Sequence, residues 1–260
     1  MKILVTNDDG IDSPGLWAVV EELRRVGEVV VVAPQSEQSG VGTSVNLRRA
    51  VKVFPQARGK GIYTTDGTPV DCVIIAFRAL FPGEIDLVVS GINRGPNIGY
   101  DVFVSGTVAG ALAGYFHGVP ALAVSVDSYG EVDFEAAAKL TALFADRVKK
   151  GDLPRETLMN VNLPNLSLGE IRGIEITKLG KQSHCGEIKK VLSGENEGYI
   201  IVKDKVIGEI DAGSDAWALE QKRISITPLL PNPWGNKSGN SLQELARDIF
   251  SVLVNAPITR

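Results

Sequence analysis

The stretch Met1-Lys-Ile-Leu-Val-Thr-Asn-Asp-Asp-Gly10 decides the fold. Residues 2–6 read as a short, β-branched-rich buried strand, and Asn7, Asp8, Asp9 and Gly10 break it with turn residues. A helical pattern follows at once, with Ser13 at the N-cap position and Pro14 at the first helical position. Strand, tight acidic loop, helix is the opening of an α/β sheet. It places two carboxylates at the carboxyl end of the first strand, where open α/β sheets bind ligands.

Adjacent carboxylates repel, by roughly 4 kcal/mol at about 4 Å and an effective dielectric near ~20. Solvent weakens that repulsion, protonating one Asp removes it, and a divalent cation turns it into attraction. Asp8 and Asp9 also suit a plain turn beside a helix N-terminus, so the pair alone leaves both readings open.

Outward from this stretch, Leu16, Val19, Val20 and Leu23 recur at helical spacing, with Gly27 expected as the C′ stop. The Val-rich run 28–33 suits a parallel sheet covered on both faces. Pro34 ends it, and the polar loop 35–44 leaves on the same rim as Asp8 and Asp9. Short strands are expected at 51–54 and 62–65, then a helix over 70–80 with Thr68 as N-cap and Pro69 at N1. Residues 86–90 read as another buried strand. The stretch 91–100 is too rich in Gly, Asn and Pro to predict a regular element.

A helix over 105–117 has hydroxyls at its start and small residues along it. Its opening suits an anion, and Ser105 or Thr107 also suits a simple N-cap; the two roles are compatible. His117, at the far end, complements the helix C-terminus. A strand at 121–126 and a helix at 136–148 continue the alternation. The whole predicts an α/β fold: a Rossmann-like, doubly wound, mostly parallel sheet, with 1–157 as the catalytic core. No G-x-G-x-x-G follows the first strand, which argues against NAD.

From residue 158 the texture changes. Strands are expected at 159–163 and 171–177, then a polar stretch over 178–198. A hairpin of 199–202 with 206–210 would turn near Asp204. A loop at 211–215, a half-buried strand at 223–228 and a helix over 241–254 follow. Residues 158–260 are expected to complete the fold, project an arm and pair with a second copy of the chain.

With 260 residues, 44% hydrophobic and 22% charged, the chain can bury a substantial core. Its net charge of -4 argues against general nucleic-acid or anionic-membrane binding. Cys72 and Cys185 form no C-x-x-C and fit a reducing compartment. No apolar run reaches about 18 residues, and no signal-peptide pattern follows Lys2. The expectation is a cytoplasmic protein with no membrane partner.

Three loops leaving parallel strands offer oxygen donors: the carboxylates of Asp8 and Asp9, the hydroxyl of Ser39 and the amide of Asn93. An all-oxygen set suits one hard cation, Mg²⁺ or Mn²⁺; Zn²⁺ prefers His or Cys. Beside it, the N–H groups of Gly106 and Thr107, the hydroxyls of Ser105 and Thr107, and Asn97 are candidates for holding phosphate oxygens. Together these are the parts for phosphoester hydrolysis by water that the cation activates, with Asp8 or Asp9 as its catalytic orienting group or base. Ser105 as a covalent nucleophile lacks a His or Lys at a readable spacing.

N-D-D-G at 7–10, V-A-P with Q-S-G at 32–40, D-G-T-P-x-D-C at 66–72, S-G-I-N-x-G-x-N at 90–97, D-V-x-x-S-G-T-V-A at 101–109 and I-T-P-L at 226–229 closely resemble the SurE survival-protein nucleotidases. The resemblance covers nearly the whole chain. It implies a metal-dependent hydrolase of nucleoside 5′- and 3′-monophosphates, and in some members of short polyphosphate. It implies metal ligands at Asp8, Asp9, Ser39 and Asn93, and phosphate contacts at Asn97, Ser105, Gly106 and Thr107. It also implies a swapped C-terminal arm in a homodimer or homotetramer. Two rivals are a receiver-like signalling domain and a non-catalytic nucleotide binder. The first needs an Asp after a central strand, where this chain has Ser90-Gly91-Ile92-Asn93.

Overall fold

The computed structural model describes residues 1–183, 187–193, 196–202 and 208–229. The chain divides into Met1–Pro228 and Leu229–Arg260, and every element below lies in the first unit. The helix expected over 241–254 lies outside the described residues.

A nine-stranded sheet runs β3-β4-β2-β1-β5-β6-β7-β11-β8. Its strands are β1 (Lys2–Thr6), β2 (Glu28–Pro34), β3 (Val53–Pro55), β4 (Ile62–Thr65), β5 (Leu87–Arg94), β6 (Ala121–Asp127), β7 (Leu158–Pro164), β8 (Ile174–Ile176) and β11 (Ile224–Pro228). β4, β2, β1, β5, β6 and β7 are mutually parallel; β3 and β11 pair antiparallel to their neighbours β4 and β7. The order reverses at β1, which lies between β2 and β5. This is the doubly wound plan read from the alternation, and its switch point falls at the loop carrying Asp8 and Asp9.

The period-2 alternation of β1 divides the core. Ile3 and Val5 join Leu87 and Val89 in one cluster with Leu16, Val19, Val20 and Leu23 of α1 (Pro14–Leu23) and Ala137, Ala138 and Ala145 of α4 (Glu135–Lys150). Thr6, Val88 and Ser90 face α3 (Gly106–Phe116), which itself packs on α2 (Pro69–Ile75). Gly110 and Gly114 let α3 sit close: a Cβ at 114 would lie 2.5 Å from Val88 Cγ2. Each fully buried aliphatic side chain contributes about 1.5–3 kcal/mol, so both layers are held by the sheet they cover.

Local signals place the helices. Ser13 and Pro14 begin α1, although the Ser13 side chain makes no capping bond. Thr68 and Asp71 form a reciprocal capping box at α2, whose end runs into a π-helical turn at Ala76–Leu80. Ser105 caps α3, accepting from Val108 N at 3.1 Å. His117 caps its other end, with Nδ1 2.8 Å from Ala113 O and its ring stacked on Phe77. Burial pushes the Cys72 thiol up to about 12, consistent with an inert core cysteine.

Five expectations need correction. Gly27 is not a left-handed C′ residue; α1 ends at Leu23 and the chain turns through Arg24 before Gly27 N bonds Leu23 O. β5 continues through Gly91–Arg94, because a bulge between Ser90 and Asn93 absorbs the irregular residues. The 171–177 strand shrinks to Ile174–Ile176, and Asp215 opens a helix, α5 (Asp215–Glu220), capped by Ser214. The hairpin lies earlier than expected, β9 (Glu187–Ser193) against β10 (Asn196–Val202), with Ile188 opposite Ile201. Residues 208–210 form no strand, and 203–207 lie outside the described residues. Ile188, Tyr199, Ile200 and Ile201 are exposed, so this segment lacks the one-sided alternation that marks a half-buried strand.

Candidate active site

Asp8 is buried and lies against the opening of α3. Thr107 Oγ1 donates to Asp8 Oδ1 at 2.5 Å. A Cβ on Gly106 would lie 2.8 Å from Asp8 Cβ and 2.9 Å from Oδ2. Glycine at 106 is what lets the carboxylate reach the helix N-terminus. The Asp8 carbonyl accepts from Gln38 N at 2.6 Å, which ties the loop after β2 to the loop after β1.

Asp9 turns to the other side, toward α1 and β5. Its Oδ2 lies 3.5 Å from Ser13 Oγ and 3.4 Å from Arg94 N. Burial first, then the neighbouring Asp8 charge, with Glu37 adding, pushes its carboxyl up to about 6. Asp9 and Ser39 line one cavity of about 370 Å³ with Ser13, Pro14, Glu37, Arg94, Tyr129 and Phe134. Ser39 is exposed and its hydroxyl donates to Glu37 Oε1 at 2.8 Å. Asn93 is buried next to Arg94, and its amide donates to Gly95 O at 2.7 Å.

The three loops thus meet on the carboxyl rim. Asp8 joins Gly106 and Thr107; Asp9 joins Ser39 and the Asn93-Arg94 strand end. Among the described residues no group of three or more His, Cys, Asp or Glu could hold a metal ion. A cation here would take its remaining donors from hydroxyl and amide oxygens, as an all-oxygen shell for a hard ion does. The oxygen donor chemistry and the two neighbouring carboxylates fit a divalent cation.

The phosphate candidates divide in role. Ser105 Oγ is the cap of α3. The Thr107 hydroxyl is engaged by Asp8, so what Thr107 offers an anion is its backbone N–H. Helix geometry leaves that N–H and the one at Gly106 without an intrahelical partner. Asn97 is buried and locked: its N–H donates to Asn162 Oδ1 at 2.8 Å, and its carbonyl accepts from Asn160 Nδ2 at 2.7 Å and Asn162 Nδ2 at 3.0 Å. Its own amide donates to Ser125 Oγ at 2.9 Å.

Ser125, Asn160 and Asn162 were missed in the sequence, as were Arg94 and Tyr129. Asn160 and Asn162 did leave a signal: two amides on one face of an otherwise apolar buried strand. Tyr100 and Phe103 are exposed beside α3, and Trp217 belongs to α5.

A doubly wound sheet with a carboxylate pair at its switch point, set against a helix N-terminus, defines an open α/β protein of the class that binds its ligands at the carboxyl rim. The profile of the family described as "Survival protein SurE" matches residues 3–186. The chain is 41% identical to the 5'-nucleotidase SurE of Dehalococcoides mccartyi over 234 residues, 88% of each chain. It is 45% identical to the 5'-nucleotidase SurE of Moorella thermoacetica over 233 residues, 88% of this chain and 90% of that one. The crystal structure of the SurE protein from Aquifex aeolicus superposes with a TM-score of 0.81 at 36% identity, covering 95% of this chain and all of that one. The chain belongs to the SurE family.

Proposed function

We propose that the chain is a divalent-cation-dependent phosphomonoesterase that releases phosphate from nucleoside 5′-monophosphates, with 3′-monophosphates and short polyphosphate as further substrates. The single observation that carries the reading is the contact between Asp8 and the opening of α3, which brings a cation ligand and free helix N–H groups together. The names of the curated relatives support the substrate class.

In this reading Asp8, Asp9, Ser39 and Asn93 hold one Mg²⁺ or Mn²⁺ per chain. When bound, the cation supplies charge neutralisation at the phosphoryl oxygens and lowers the pKa of water. The chain's own residues do the rest. Thr107 fixes the Asp8 carboxylate by its hydroxyl. Gly106 and Thr107 present N–H groups to the phosphate oxygens, and the α3 dipole favours the negative charge there. Asn97, held from three sides, keeps the loop before α3 in place. Asp9, open to the cavity, orients the attacking water and receives its proton. The Ser105 hydroxyl serves the helix cap, and among the described residues no hydrogen bond joins it to a base, which favours direct attack by water.

The same reading makes the protein a cytoplasmic homodimer or homotetramer. Among the described residues no helix is long and apolar enough to cross a membrane. The exposed pair Ile188 and Ile201 supports self-association through the β9–β10 arm. The test is phosphate release from a panel of nucleoside monophosphates and polyphosphate, with chelator and with Mg²⁺ or Mn²⁺ restored. Release that needs the cation is the expected result. A protein that binds nucleotide and releases no phosphate under any metal is instead a non-catalytic binder.

A further inference from the structure

The motif D-G-T-P-x-D-C at 66–72 supplies none of the candidate cation or phosphate contacts, yet its Asp71 is buried. The Asp71 carboxylate closes the capping box of α2, accepting from Thr68 N at 2.9 Å. It also reaches the loop that leaves β2. Asp71 Oδ1 accepts from Asn46 N at 3.0 Å, and Oδ2 accepts from Asn46 Nδ2 at 2.5 Å. Beside this grip, Thr68 Oγ1 donates to Ser44 O at 2.7 Å, and Arg49 Nε donates to Asn46 Oδ1 at 2.9 Å. The same loop, between β2 and β3, carries Ser39. Packing does not hold Ser39: it is exposed, it bonds the exposed Glu37, and a Cβ at the neighbouring Gly40 would meet nothing within 4 Å. Its place is set by anchors on either side. Before it, Gln38 N bonds Asp8 O at 2.6 Å; after it come Gly42 N on Val104 O at 3.0 Å and the Asn46 grip.

We propose that Asn46, gripped by Asp71, is the positioning residue for Ser39; the assignment rests on the phosphomonoesterase reading, in which Ser39 is a cation ligand. Two donors of one residue on the two oxygens of one carboxylate fix that residue in both place and orientation. α2 packs on α3, whose opening holds Asp8, so one pair of helices carries both the Asp8 carboxylate and the loop of Ser39. Release of the grip lengthens the free span of the loop and lets Ser39 leave the cavity it shares with Asp9. The cation must then order the loop as it binds, and its affinity falls. Asn46 touches neither cation nor substrate in this reading and acts through Ser39.

The test titrates Mn²⁺ calorimetrically into metal-free wild type, Asn46→Ala, Ser39→Ala, the double variant of the two, and Leu47→Ala, an exposed neighbour outside the grip. Backbone hydrogen exchange over 38–47 is measured on the same metal-free proteins. Loss of a hydrogen bond to a charged group corresponds to about tenfold in an equilibrium constant. Asn46→Ala is expected to speed exchange over 38–47 and to weaken Mn²⁺ binding about tenfold, while Leu47→Ala matches wild type. In the Ser39→Ala background, Asn46→Ala is expected to have no further effect on Mn²⁺ affinity, because the two residues act as one. Unchanged exchange in Asn46→Ala, unchanged affinity, or losses that add to those of Ser39→Ala overturn the role. A wild type that binds no Mn²⁺, or a Ser39→Ala variant that binds it as wild type does, overturns the cation site beneath it, and the two failures are thereby told apart.

Discussion

Thr107 donates its hydroxyl hydrogen to Asp8 across 2.5 Å, joining the first turn of α3 to the end of β1. In the proposed reading, the helix that would hold the phosphate and the carboxylate that would hold the cation are thereby one unit. A hydrogen bond to a buried charged group contributes about 1.5–3 kcal/mol. Thr107→Val, close in volume, removes the donor and is expected to weaken divalent affinity about tenfold; Thr107→Ser keeps the donor and most of the affinity. Calorimetric titration with Mn²⁺ reads the difference, and equal affinities in the two variants would remove Thr107 from this role.

Gly106→Ala tests the closeness of the same contact. Alanine suits a helix better than glycine, so local propensity favours the variant. Its Cβ nevertheless meets Asp8 at 2.8–2.9 Å. The expected outcome is a melting temperature within a few degrees of wild type, with divalent affinity and phosphate release reduced by more than about tenfold. That split is the mark of a steric requirement at the site rather than in the core.

Asn162→Leu removes the acceptor for Asn97 N–H and one of the two donors to Asn97 O, leaving the buried N–H without its partner. Each unsatisfied group costs about 1–3 kcal/mol. Asn97 O keeps its bond from Asn160, so the unpaired Asn97 N–H sets the expected loss in urea unfolding at about 1–3 kcal/mol, with a fall in kcat larger than the change in KM. Unchanged kcat at reduced stability would make the asparagine pair purely structural.

The Asp9 carboxyl is held up at about 6 in the metal-free protein, above its ordinary 3.8. The folded state therefore binds the proton more tightly than the unfolded chain. The associated stability is full below about pH 4 and is lost as pH rises through 6. After allowance for solvent screening of this partly exposed group, the effect is about 1 kcal/mol, or about 3 °C in melting temperature. Asp9→Asn is expected to match wild type near pH 4 and to melt higher at pH 7.5 in chelator. Divalent cation should reverse the order at pH 7.5, since it stabilises only the chain that keeps both carboxylates.

The core and the rim were legible in the sequence because each rests on a local signal. Val-rich runs marked the parallel strands, Thr68 and Ser105 marked helix starts, and the break after Thr6 put the carboxylates at the switch point. What escaped was set by contacts between distant segments. The Asn97 lock joins residues more than sixty positions apart. The bulge at Ser90 to Asn93 hides a strand inside a turn-like composition. α5 did carry a readable cap at Ser214, but its six residues are too few for a clear period. The β9–β10 register was obscured because its apolar side chains are exposed.

The most direct measurement is the binding of Mn²⁺ to wild type and to Asp8→Asn at neutral pH, read beside phosphate release from adenosine 5′-monophosphate. One ion per chain in the wild type, with affinity and turnover falling together by at least about tenfold on loss of one of the two carboxylates, is the predicted result. Undiminished Mn²⁺ binding and full turnover in Asp8→Asn would contradict it.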